Sequence, residues 1–169
     1  MSEQSRMDPR PSETATPRDI EMMRRALELA AQGAGHDEVP VGAVVYETAT
    51  GRVLGEAFNR RHLDKDPAAH AELLAVRQAA AAVGDWRLNH CTLVVTLEPC
   101  AMCAGLIVNA RLGRLVYGCA DPKAGAAGSL MRLTEDARLN HRVTPIVGVL
   151  AAEASSLLKA FFAGKRRGD

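Results

Sequence analysis

The sequence predicts an α/β protein in which helices cover both faces of one mixed, five-stranded sheet, a three-layer α/β/α sandwich. Three observations carry that prediction. Apolar residues recur at helical and then strand spacing in the order α-β-β-α-β-α-β-β-α. The run Thr92 to Leu97 is mostly apolar and bounded by polar residues, the pattern of a central strand buried on both faces. The chain has 169 residues, 47% of them hydrophobic, enough for one real core.

The elements follow in order. Residues 1–15 are Ser, Thr, Pro and charge with little apolar content, and read as a disordered tail. A single domain is expected over residues 16–164. Thr16-Pro17-Arg18-Asp19 opens a helix: Thr caps, Pro suits the first position, and Asp favours the positive end of the helix dipole. Ile20, Met23, Leu27 and Ala30 recur at helical spacing until Gly33 and Gly35 stop it. Val41 to Tyr46 and Arg52 to Phe58 read as strands joined by a turn at Thr48-Ala49-Thr50-Gly51. Asp66-Pro67 opens a second helix ending near Gly84, and Pro99 a third running to about Ala110. Leu115 to Gly118 is a further strand, followed by a Gly- and Ala-rich loop from Cys119 to Ser129. A last strand around Val143 to Val149 precedes an amphipathic helix with Leu157, Leu158, Phe161 and Phe162, and residues 165–169 form a basic tail.

Charge excludes one class of function. Lys plus Arg is 21 against 20 for Asp plus Glu, a net charge of +1, so no field of the whole molecule draws it to nucleic acid or membrane. Any grip on RNA must be local. Lys165-Arg166-Arg167, Arg60-Arg61 and Arg111 with Arg114 are the basic groups dense enough to meet phosphates, though such runs are also ordinary solvated faces. No apolar run approaches the ~18 residues of a membrane span, and the first residues lack the apolar stretch of an export signal. A cytoplasmic protein is expected, and its four cysteines point to metal or catalysis rather than disulfides.

Two fragments carry the chemistry: His70-Ala71-Glu72 and Pro99-Cys100-Ala101-Met102-Cys103, each at a predicted helix start. Cys100 and Cys103, at i and i+3, share a helical face, and the first turn of a helix favours thiolate. Thiolates and a neutral imidazole suit Zn²⁺. With His70 they make three protein ligands and leave an open fourth position, the catalytic arrangement. Glu72 at a helix end can approach water on the metal from the side, as a proton carrier. Alone, each fragment is weak. C-x-x-C also reads as a redox pair or half of a structural zinc site, with Cys91, Cys119 or His90 as fourth ligand. Jointly, H-x-E followed by P-C-x-x-C is the known signature of zinc deaminases of nucleobases.

On these residues the chain resembles the bacterial tRNA-specific adenosine deaminases, a branch of the cytidine-deaminase-like superfamily. The likeness runs from about Ile20 to Gly164. It includes Glu38-Val39-Pro40-Val41-Gly42-Ala43, Asn59-Arg60, Thr96-Leu97-Glu98-Pro99-Cys100, Lys123 through Met131, and Leu139-Asn140-His141-Arg142-Val143. The resemblance implies that His70, Cys100 and Cys103 hold one zinc and that Glu72 shuttles protons. It implies that Asn59 meets the purine edge of a flipped base, with backbone of Val41, Ala71, Glu98 and Pro99 lining the pocket. Asp121 and Asn140 would touch neighbouring nucleotides, and Phe162 would pack near the flanking bases. The partner implied is a tRNA anticodon stem-loop, deaminated from adenosine to inosine at the wobble position, by a homodimer. A plainer reading stands beside each: Asn59 as a loop cap, Asp121-Pro122 as a turn, Phe162 as a core residue with Leu158. The apolar helix after Pro99 (Met102, Leu106, Ile107, Val108) fits a dimer contact or simple burial. A deaminase of free cytosine, cytidine or guanine would share every metal-site residue. A non-catalytic zinc staple would have no use for Glu72.

Overall fold

The computed structural model describes residues 14–168. The disordered tail expected over 1–15 therefore lies outside the described residues, save Thr14 and Ala15. Helix α1 (Pro17–Gly35) opens in a capping box. Thr16 Oγ1 accepts from the Asp19 amide at 3.1 Å, and the Asp19 carboxylate accepts from the Thr16 amide at 2.8 Å. Its buried stripe is Met22, Met23, Ala26 and Ala30, with Ile20 and Leu27 at the edge.

Strands β1 (Gly42–Glu47) and β2 (Val53–Phe58) pair as an antiparallel hairpin, and β1 also pairs antiparallel with β3 (Cys91–Leu97). From β3 the sheet continues in parallel through β4 (Arg114–Cys119) to β5 (Ile146–Val147), in the order β2-β1-β3-β4-β5. A parallel β3–β4 pair needs a crossover, and helix α3 (Ala101–Asn109) supplies it. Helix α2 (Ala71–Val83) connects β2 to β3 and ends at the left-handed Gly84.

The sheet is covered on both faces, which is why its strands read as continuous apolar runs. Ala43 and Val45 of β1, Leu93 and Val95 of β3, and Leu115 and Tyr117 of β4 pack into one core with Ala75, Val76 and Ala79 of α2 and Ile107 of α3. The intervening Val44, Tyr46, Val94 and Val116 pack on the other face with Met22, Met23 and Ala26 of α1. Helix α4 (Ala151–Gly168) lies on that second face against β4 and α1. The expected three layers and five strands are both present.

Four boundaries differ from expectation. Helices α2 and α3 begin at Ala71 and Ala101, not at the prolines; Asp66 Oδ1 accepts from the Ala68 amide at 2.9 Å, so Asp66-Pro67 makes a turn before the helix. The strand expected over Val143 to Val149 is reduced to Ile146–Val147, because Pro145 has no amide to donate and the Val143 amide bonds to Thr134 O at 2.8 Å. Residues 165–168 are the last turn of α4 and not a tail.

Candidate active site

The carboxyl ends of parallel strands are where open α/β sheets place their sites, and the two fragments meet there. His70 is the N-cap of α2 and Cys100 the N-cap of α3, both half-buried; Cys103 sits three positions on and is fully buried. His70 Nδ1 stands 3.6 Å from Cys100 Sγ and 3.7 Å from Cys103 Sγ. An imidazole nitrogen and a thiolate on one tetrahedral zinc stand roughly 3.6 Å apart, given Zn–N of about 2.0–2.1 Å and Zn–S of about 2.3 Å. The residues therefore fit a zinc ion, and their ligand atoms all lie within 4.8 Å of one another.

The electrostatics agree with that use. Hydrogen bonds from Cys103 and from His70 push the Cys100 thiol down to about 3, a thiolate at neutral pH. Cys103, which donates to that thiolate and is buried, is pushed up. The hydrogen bond to Cys100 raises the His70 imidazole. Glu72 lies in the first turn of α2, only 4% exposed, and its carboxyl is hydrogen-bonded to Cys103. Burial pushes Glu72 up to about 7, the range in which a carboxyl can both take and return a proton at neutral pH. A buried carboxyl titrating in that range beside two thiols and an imidazole has the chemistry to take up and return a proton.

The other expected residues divide. Asn59 is 7% exposed, and its Oδ1 accepts from the Ala71 amide at 2.9 Å. The plain capping role is thus real, and it sets the side chain next to His70 with the amide nitrogen as the half left for a ligand. The backbone of Val41, Ala71, Glu98 and Pro99, expected to line the pocket, is largely hydrogen-bonded within the fold. The Ala71 N–H is taken by Asn59; Val41 O accepts from the Asn59 amide at 3.1 Å; the Glu98 N–H donates to Cys119 O at 2.9 Å; Pro99 O accepts from the Ala126 amide at 2.8 Å.

Asp121 is half-buried and closes a turn, its Oδ1 accepting from the amides of Lys123 at 3.0 Å and Ala124 at 3.1 Å. Phe162 is 47% exposed and rests edge-on against Phe161 at 5.4 Å, so it is not a core residue. Asn140 is exposed beside His141, whose Nε2 meets Leu112 O at 2.8 Å past the C-terminal end of α3.

Among the basic groups, Arg114 is largely buried against Asp19 at 2.8 Å and is no surface phosphate contact. Arg60 pairs with Asp64 at 2.8 Å and Lys165 with Asp37 at 2.5 Å, leaving Arg61, Arg166 and Arg167 exposed nearby in sequence.

Sequence reasoning misses the side chain of Glu98. It is 2% exposed and accepts from the Asp121, Ala127 and Ser129 amides and the Ser129 hydroxyl. Burial alone would raise this carboxyl; the Ser129 hydroxyl and the three amides outweigh it and hold the group below the usual carboxylate range. The available signal is a Glu ending an apolar strand, where a charge needs a reason.

Known proteins show the same pattern. A family model described as MafB19-like deaminase matches residues 18–166. A tRNA-specific adenosine deaminase of Haemophilus influenzae is 45% identical over 148 residues, 88% of this chain and 85% of that one. The chain belongs to the tRNA-specific adenosine deaminase family. This deaminase also superposes with a TM-score of 0.78 on a structure from work on A-to-I editing by tRNA:A34 deaminases at the wobble position, 40% identical and covering 82% of this chain and 99% of that one. A guanine deaminase from Nitrosomonas europaea superposes with a TM-score of 0.74 at 26% identity, covering 88% of this chain and 86% of that one.

Proposed function

We propose that this deaminase converts the wobble adenosine of a tRNA anticodon to inosine, with zinc as its cofactor. The observation that carries the reading is Glu72, buried against a His70–Cys100–Cys103 cluster of zinc-like spacing in a chain of this family. His70, Cys100 and Cys103 would hold the ion, which supplies the Lewis acidity that lowers the pKa of water toward ~7. Glu72 takes a proton from the attacking water and delivers it to N1 of adenine, so that C6 accepts the oxygen. The same carboxyl then takes the proton of the new C6 hydroxyl and passes it to the departing amine as the C6–N bond breaks. Water is consumed, ammonia leaves, and inosine remains. The Asn59 amide nitrogen, its oxygen already committed to Ala71, donates to an acceptor on the purine edge.

The target base must leave its stack, which an anticodon loop permits at lower cost than a duplex. Asp121 and the exposed Phe162 meet the flanking nucleotides, and the exposed basic turn of α4 meets phosphate. Met102, 38% exposed on a helix whose Ile107 and Val108 are buried, supports a homodimer contact. No helix among the described residues is long and apolar enough to cross a membrane, and a tRNA substrate places the activity in the cytoplasm.

The test is a side-by-side rate assay of an anticodon stem-loop with wobble adenosine against free adenosine, cytidine and guanine. Efficient turnover of the stem-loop is expected. The guanine arm is included because of the Nitrosomonas neighbour. Turnover of a free base with none on the stem-loop would overturn the substrate and leave the deaminase chemistry.

A further inference from the structure

The Glu98 carboxylate touches no metal ligand and is not needed for any proton transfer above, yet it is saturated with donors. Oε1 accepts from the amides of Ala127 at 3.1 Å and Ser129 at 2.9 Å; Oε2 accepts from the Asp121 amide at 2.9 Å and the Ser129 hydroxyl at 2.5 Å. All four donors belong to one loop. The loop is moulded onto the carboxylate as well as bonded to it. A Cβ on Gly125 would lie 2.3–2.5 Å from the Glu98 carboxylate atoms, so a side chain there would displace the carboxylate from its place against the loop. The same turn of chain is pinned to the ligand-bearing segment, with Gly125 bridged to Cys100 and the Ala126 amide on Pro99 O. At the loop's outer side Leu130 and Met131 stand 59% and 50% exposed, and Asp121 is at its root.

We propose that Glu98 is the positioning residue of the loop Asp121–Met131, holding it in the shape in which Asp121, Leu130 and Met131 meet the nucleotides beside the target base. This rests on the tRNA reading above. The charge is required because donors converge on both oxygens. A glutamine at this position would turn an N–H toward one pair of them, and an aspartate would fall short of the loop. A wrongly set loop loosens the grip on a polynucleotide. The ligands and Glu72, at the starts of α2 and α3, stay in place because His70 and Cys100 are held by the Leu74 and Ala104 amides of their own helices.

The experiment measures Glu98→Gln and Ser129→Ala against the wild type on the wobble-adenosine stem-loop. It records KM and kcat separately, metal content, and hydrogen exchange resolved by peptide. For Glu98→Gln, KM should rise about tenfold or more, the scale of one lost charge-assisted hydrogen bond, while kcat changes by less than about threefold. Exchange should quicken across residues 121–131 and stay slow in α2 and α3. Ser129→Ala, which removes only one donor from a solvent-exposed residue, should move KM in the same direction by about two- to fivefold and keeps the test alive if the Glu98 variant does not fold. An unchanged KM in Ser129→Ala or Glu98→Gln, a fall in kcat at constant KM, loss of metal, or unchanged exchange of the loop would each overturn the proposal. Failure of the wild type on the stem-loop would instead overturn the substrate reading. The exchange comparison would still decide whether Glu98 holds the loop.

Discussion

Asp19 and Glu72 are both carboxyls buried in the same small molecule, at opposite ends of its sheet. Asp19 lies near the amino ends of the parallel strands and receives Arg114 at 2.8 and 3.0 Å, the Tyr46 hydroxyl at 2.5 Å and the Thr16 amide at 2.8 Å. Burial alone would raise it, but Arg114, the Thr16 amide and Tyr46 outweigh burial and hold it below the usual carboxylate range. Glu72 lies at the carboxyl ends, bonded to Cys103 and the start of its own helix, and burial pushes it up to about 7. The difference is the guanidinium. Gripped at both oxygens by a guanidinium, Asp19 stays ionised and ties elements together; Glu72 has no such two-point partner, and burial dominates.

The comparison breaks most visibly at the site end. Cys103→Ser should remove the bound metal, from one ion per chain to near none, and reduce deamination to background. Metal analysis and turnover on the same sample would check it.

At the other end, Asp19→Ala removes the two-point partner of the largely buried Arg114 and the acceptor of the Tyr46 hydroxyl, and should cost about 1.5–3 kcal/mol in denaturant unfolding, with metal content unchanged. Its pH signature follows from the lowered folded pKa. The contribution of Asp19 is complete above the unfolded value near 4 and is lost as pH falls through the folded value. The wild type should therefore lose stability on acidification below about pH 4, by a component that Asp19→Ala lacks. The smallest effect is expected from Thr16→Ala, which removes one half of the capping box and should cost about 1 kcal/mol by thermal or chemical unfolding.

How legible each end was depends on how far apart in sequence its partners lie. The His70–Cys100–Cys103 cluster and Glu72 beside it were readable because Cys100 and Cys103 are three apart and His70 and Glu72 two apart, spacings that speak without a fold. The helix starts were misplaced by a few residues, since Pro67 and Pro99 govern turns whose bonds only the assembled loops reveal. Arg114 looked like a surface cation because its partner Asp19 is 95 positions away. Glu98 looked like backbone lining for the same reason, its donors lying 23–31 positions on, in a loop that reads only as small residues. The five strands were all visible, yet β5 shrank because a proline interrupts its ladder and another segment took the Val143 amide.

The central claim is that Glu72 moves protons and does not hold the metal. Glu72→Gln, assayed on the wobble-adenosine stem-loop with zinc content and melting temperature measured on the same preparation, tests it directly. The account predicts wild-type zinc, little change in melting temperature, and turnover reduced by ~10²–10⁴-fold. Near-normal turnover, or loss of zinc with the carboxylate, would contradict it.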